Sequence, residues 1–199
     1  MMDWYNEIMV VGCGNPLQTD DGFGPAVVAE LKKLELPKNV QVLDAGLGGP
    51  HFLFTLMANS DAPIRKMIII DILDFGAEPG QVTRITPDLL PSGMYVHEHA
   101  HECGLLDPLQ VLKDRIDIVI FGCQPECLDI SQITNETEDI DFWVTDSVRK
   151  AIPKTVRLVL DEIGVDYGTT IISQGAHHRE ETGKTGISGK TGRKAGSQA

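Results

Sequence analysis

"KMIIIDIL", residues 66–73, constrains this chain more than any other stretch. An unbroken apolar run rich in β-branched residues is the mark of a strand covered on both faces, and such strands belong to parallel sheets with helices above and below. Three further runs read the same way: "EIMVVGCG" (7–14), "NVQVLDAG" (39–46) and "DIVIFGCQ" (117–124). "GQVTRITP" (80–87) alternates and carries more polar residues, as an edge strand would. Helical spacing fills the gaps. In "GFGPAVVAELKKL" (22–34), Val27, Val28, Leu31 and Leu34 share one face, and "PHFLFTLMAN" (50–59) and "LLDPLQVLK" (105–113) follow suit. "DFWVTDSVRKAIPKTVRLVLDEIG" (141–164) predicts a long amphipathic helix, kinked or restarted near Pro153. The order βαβαββαβα predicts a three-layer α/β/α sandwich around a mainly parallel, twisted sheet of about five strands.

One domain over residues 1–173 accounts for all of these elements. From Gln174 to Ala199 the chain is rich in Gly, Ser, Thr and Lys and almost devoid of apolar residues, so a disordered tail is expected there. The formal net charge of −12 is uneven: residues 176–199 carry five basic and two acidic residues, which leaves the body near −15. A body that acidic repels a phosphate backbone and argues against nucleic acid as a partner. No stretch approaches the roughly 20 apolar residues that cross a bilayer, and "MMDWYNEIMVVGCG" lacks the basic start of an export signal. Cys13, Cys103, Cys123 and Cys127 form no CxxC pair, so reduced thiols and a cytoplasmic location are expected.

Ligands of parallel α/β sheets bind beyond the carboxyl ends of the strands, and several of those ends carry acids here. The first strand runs into Asp20 and Asp21, the second ends at Asp44, and the third ends at Asp71 with Asp74 close behind. The fifth leads to Glu126, and His97, His99 and His101 lie between the fourth and fifth. Carboxylates and imidazole converging on one rim would suit a divalent metal. Each has a plainer reading: Asp20 or Asp21 as a helix cap, Asp71 as an acceptor for loop amides, the histidines as a solvated loop. Asp71 is the hardest to set aside, because it closes an apolar run in which an unpaired carboxylate is costly. The glycine turns "GCGNPL" and "GLGGPH" place Leu17 and His51 where a dinucleotide fingerprint needs its third glycine.

Residues 97–107, "HEHAHECGLLD", spell the zinc-protease pattern HExxHxxGxxD. That chemistry needs both histidines on one face of a packed helix. Here "PSGMYV" precedes them, Gly104 interrupts, and helical spacing begins only at Leu105. The related methionine turn is also missing, since all six methionines lie at or before Met94. The letters are therefore read as coincidence.

Taken as a set, "GCGNPLQTDDGFGP" (12–25), "LDAGLGG" (43–49), "IIIDIL" (68–73), "HAHECGLLDPL" (99–109) and "GCQPECLD" (122–129) resemble the maturation endopeptidases of nickel–iron hydrogenases. The match spans roughly residues 7–165. The resemblance implies an endopeptidase that removes a C-terminal extension from the hydrogenase large-subunit precursor once nickel is bound there. It implies Asp21, Asp71 and His101 as the residues that contact the nickel, with His97 and His99 as extras. The family often has Glu where this chain has Asp21, one methylene shorter. Asp44 and Asp71 are the candidates for the catalytic base. Within the family the chain looks most like the version serving the coenzyme F420-reducing hydrogenase of methanogenic archaea. A non-catalytic nickel carrier or chaperone built on the same three ligands is the competing reading.

Overall fold

The structure is a computed structural model that describes residues 5–58, 63–89, 106–129 and 144–166. Five strands form one sheet: β1 (Ile8–Cys13), β2 (Val40–Gly46), β3 (Lys66–Ile72), β4 (Val82–Ile85) and β5 (Asp117–Cys123). Their spatial order is β2-β1-β3-β5-β4, parallel throughout except for β4, which runs antiparallel to β5 at the edge. The alternating polarity of residues 80–87 foretold that edge position, because β4 has one face and one side left to water.

The pleat sorts the strand residues onto two cores. Val10, Ile68, Ile70, Val119 and Phe121 pack under α1 (Phe23–Leu31) and α4 (Asp146–Glu162). Met9, Val11, Met67, Ile69 and Ile118 pack against α2 (Gly49–Ala58) and α3 (Leu106–Leu112). Helices on both faces explain why β3 carries no polar residue between Lys66 and Asp71. The predicted three-layer α/β/α sandwich is the observed one.

Helix α4 departs from expectation in two respects. It begins at Asp146 rather than 141, and it runs through Pro153 without a break. Pro153 faces solvent while Ala151, Thr155 and Val156 stay buried on the other side. Packing of that face onto the sheet and α1 outweighs the hydrogen bond a proline forfeits. The tail expected at 174–199 lies outside the described residues.

Candidate active site at the ends of β1, β2 and β3

From β1 the chain passes through α1 to β2 on one side, and from β2 through α2 to β3 on the other side of β1. The connections thus diverge at β1/β3, the switch point where open α/β sheets form a crevice. Gly24, in the first turn of α1, brings the helix hard against that crevice. A Cβ there would stand 2.2 Å from the Cys13 carbonyl oxygen and 2.6 Å from that of Ile70. Asp21 lies just ahead of this turn.

The loop from Gly14 to Gly22 is folded back on itself. Gly14 adopts φ 121°, its N–H donates to the Gly46 carbonyl at 3.1 Å, and a Cβ on it would meet the Asp21 carbonyl oxygen at 2.0 Å. The Asn15 N–H donates to Asp21 Oδ2 at 2.7 Å, and Asn15 Oδ1 accepts from the Leu17 N–H at 3.0 Å. Asp21 is half-buried. Across the crevice Asp71 is buried, with Oδ1 accepting from the Ile72 N–H at 2.7 Å. Burial, then the charge of Asp21, pushes the Asp71 carboxyl up to about 7, against the opposing Ile72 hydrogen bond. The structure therefore brings Asp21 and Asp71 together.

Asp44 is set apart from that pair. Its neighbours Val40 and Val42 pack on the α1/α4 core, so the pleat puts Asp44 on that face, whereas Met67 and Ile69 place Asp71 on the α2/α3 face. Strand β1 also separates them, a backbone distance of about 10 Å. Asp44 is exposed and accepts the Gly46 N–H at 3.0 Å. All three acids still reach Cys13. Burial first, then the charges of Asp71, Asp21 and Asp44, raises that thiol well above its ordinary range. Cys13 was not singled out as a site residue from the sequence. Its position between two glycines at a strand end was the available signal.

The other sequence candidates divide. Asp20 turns away from the crevice and is fully buried among donors from the β5 loop and the start of α4. Neither Asp20 nor Asp21 caps α1, whose cap position is Gly22 with no side-chain cap hydrogen bond. Asp74 accepts from the Gly76 N–H at 3.2 Å and from Gln124 Nε2 at 3.0 Å, which makes it a brace for the loop after β3. Buried Gln124, unmarked in the sequence, completes that brace by accepting from the Phe75 and Ala77 N–H groups at 2.9 and 3.2 Å. Glu126 is exposed, and only its backbone N–H reaches Asp20. Cys123 is buried, and burial followed by the charge of Asp20 pushes its thiol up to about 12, against Lys154. His97, His99 and His101 lie outside the described residues, as does the HExxH stretch. Among the described residues no group of three His, Cys, Asp or Glu side chains is arranged to hold a metal ion. Nor is any helix among them long and apolar enough to cross a membrane.

Comparison with known proteins identifies the family. Residues 25–162 match the family model for HycI, hydrogenase maturation protease. The chain is 42% identical over 168 residues to the coenzyme F420 hydrogenase subunit delta of Methanothermobacter thermautotrophicus, covering 82% of this chain and 99% of that protein. Among solved structures it is similar to the hydrogenase maturating endopeptidase HybD from E. coli, with a TM-score of 0.60 and 26% identity over 79% of this chain and 91% of that one. The fold also recurs in the HycI protease from Thermococcus kodakarensis, with a TM-score of 0.56 and 23% identity over 79% of this chain and 92% of that one. With the family model spanning most of the folded body and a strand-end acid pair at the switch point, the chain belongs to the hydrogenase maturation proteases and is an endopeptidase acting on a hydrogenase precursor.

Proposed function

We propose that this endopeptidase reads a nickel ion held by its substrate, the large-subunit precursor, and then removes a C-terminal extension from it. Asp21, Asp71 and His101 contact the nickel in this reading. The observation that carries it is the pairing of Asp21 with the buried Asp71 at the β1/β3 switch point. Two carboxylates that repel one another are relieved by a divalent cation, and two oxygens with one imidazole suit a borderline ion such as nickel. His101 enters through the motif at 99–109.

Hydrolysis adds hydroxide to the acyl carbon and a proton to the leaving nitrogen. Asp71, the acid in the crevice, takes the proton of the attacking water; Asp44, about 10 Å away on the other face, is the less well placed candidate. The free thiols of Cys13, Cys123 and Cys127 support a cytoplasmic setting. The likeness to a methanogen protein named for coenzyme F420 hydrogenase supports that enzyme's precursor as the substrate.

The test is the intact mass of that precursor after incubation with the protease, with and without nickel loaded. A C-terminal fragment should be lost only from the loaded sample. Asp21→Asn, Asp71→Asn and His101→Ala should each slow cleavage by about 100-fold or more. Asp44→Asn should slow cleavage far less than Asp71→Asn does. Equal cleavage of loaded and unloaded precursor would end the nickel reading.

A further inference from the structure

Two adjacent acids stand in "TDDG", and only one of them faces the crevice. Asp20 is completely buried, and every hydrogen bond to its carboxylate comes from a donor. Oδ2 accepts from the Glu126 N–H at 2.8 Å, the Cys127 N–H at 2.9 Å and the Thr145 hydroxyl at 3.1 Å; Oδ1 accepts from the Thr145 N–H at 2.7 Å. An ionised carboxylate accepts at both oxygens, whereas an amide of the same shape would turn an N–H₂ toward one set of N–H groups. The site is built for a negative charge.

The backbone on either side is tied to the same partners. The Thr19 hydroxyl donates to the Cys127 carbonyl at 2.7 Å, and the Asp20 N–H reaches that same oxygen at 3.3 Å. Thr19 is held at φ 45°, the left-handed region that a β-branched residue seldom adopts. Strain of this kind persists only where the surroundings enforce it. The enforcing contacts here come from the loop after β5 and the first residue before α4, both more than 100 positions away in the chain. On the far side, Asp21 Oδ2 takes the Asn15 N–H.

We propose that Asp20 is a positioning residue for the peptidase reaction: its buried carboxylate clamps the β1 loop to the β5 loop and to the start of α4, and thereby aims Asp21 at Asp71. The proposal rests on the role given above to Asp21. It assigns the neighbouring acid a separate task that involves no contact with substrate.

The Asn15 amide supplies a direct readout, because its hydrogen bond to Asp21 Oδ2 reports where the Asp21 carboxylate lies. ¹H–¹⁵N spectra of wild type, Asp21→Asn and Asp20→Asn are recorded beside the kinetics of nickel-loaded precursor cleavage. Asp21→Asn defines the Asn15 resonance when the charged acceptor is lost. The expected result for Asp20→Asn is an Asn15 amide moved most of the way to that position, unchanged amides for Ile68–Ile70 in β3, and kcat/KM lower by at least about tenfold. An Asn15 amide at its wild-type position, or wild-type kcat/KM, would overturn the proposal. If Asp20→Asn does not fold, Thr145→Val removes only the hydroxyl bond. It should shift the Asn15 amide part of the way, and an unmoved amide overturns the proposal equally. Full activity in Asp21→Asn would overturn it together with the nickel-contact reading, and is distinguishable because Asp20 is intact in that variant.

Discussion

Asp71 faces Asp21 across the β1/β3 crevice, where burial, reinforced by the charge of Asp21, lifts its carboxyl from an ordinary 3.8 to about 7. A carboxyl that binds its proton more tightly folded than unfolded contributes stability fully present below pH 3.8 and lost as pH rises through 7. At pH 8 the free protein therefore carries an ionised, buried Asp71 that the fold tolerates poorly. Asp71→Asn removes that cost. Thermal melts should show Asp71→Asn more stable than wild type at pH 8, by on the order of a few kcal/mol, with the gap closing toward pH 4. A gap that is constant with pH would mean that Asp71 does not titrate in this window. A buried carboxyl raised in this way is a stability cost at alkaline pH.

Gly14 answers to two constraints at once, a φ of 121° and a Cβ position 2.0 Å from the Asp21 carbonyl oxygen. Gly76 shares the first, at φ 73°, with nothing within 4 Å of its Cβ position. Gly76→Ala should cost about 1 kcal/mol from backbone strain alone. Gly14→Ala should cost about 2 kcal/mol or more, and it should also reduce precursor cleavage by displacing Asp21. Urea melts of both variants, with cleavage assays alongside, check the contrast.

Glu162 closes the opposite end of the sheet. Its carboxylate takes Arg84 Nε at 2.8 Å and Nη2 at 3.2 Å and pairs with Lys66, so that α4 is fastened to β4 and β3. The Arg84 hydrogen bonds, against partial burial and with help from Lys66, hold its pKa below the ordinary 4.5. A depressed carboxyl contributes stability above pH 4.5 that disappears as pH falls through the folded value. Glu162→Gln should destabilise by about 1–3 kcal/mol at pH 7. The deficit should shrink in urea melts below pH 4.5.

Thiol labelling offers a check on the interior. Cys13 and Cys123 are buried and their thiols are pushed up, whereas Cys127 is half-buried. Since the thiolate is the reactive form, iodoacetamide should label Cys127 well before Cys13 or Cys123 in the native protein. Peptide mapping by mass spectrometry resolves the three. Early labelling of Cys13 would contradict the packing of Gly49 against its sulfur.

Much of this architecture was legible in the sequence because it depends on local periodicity. The apolar run of β3 demanded cover on both faces, and the alternation in β4 demanded an edge. The motif set also points to the hydrogenase maturation proteases, because it is carried by short local segments of the chain. Where periodicity ran against a single residue rule, the packing won: Pro153 sits inside a continuous α4.

What the tertiary structure alone decided was where each acid lies and what it touches. Asp20 and Asp21 are identical in kind and adjacent in sequence, yet one is locked to partners at 126, 127 and 145 while the other faces Asp71. Asp44 and Asp71 both end strands, yet the pleat and the strand order β2-β1-β3 put them on different faces with β1 between them. The type of an element follows from residues a few positions apart, whereas a carboxylate's burial, partners and charge neighbours come from chain segments tens to more than a hundred residues away, which only the folded chain brings together.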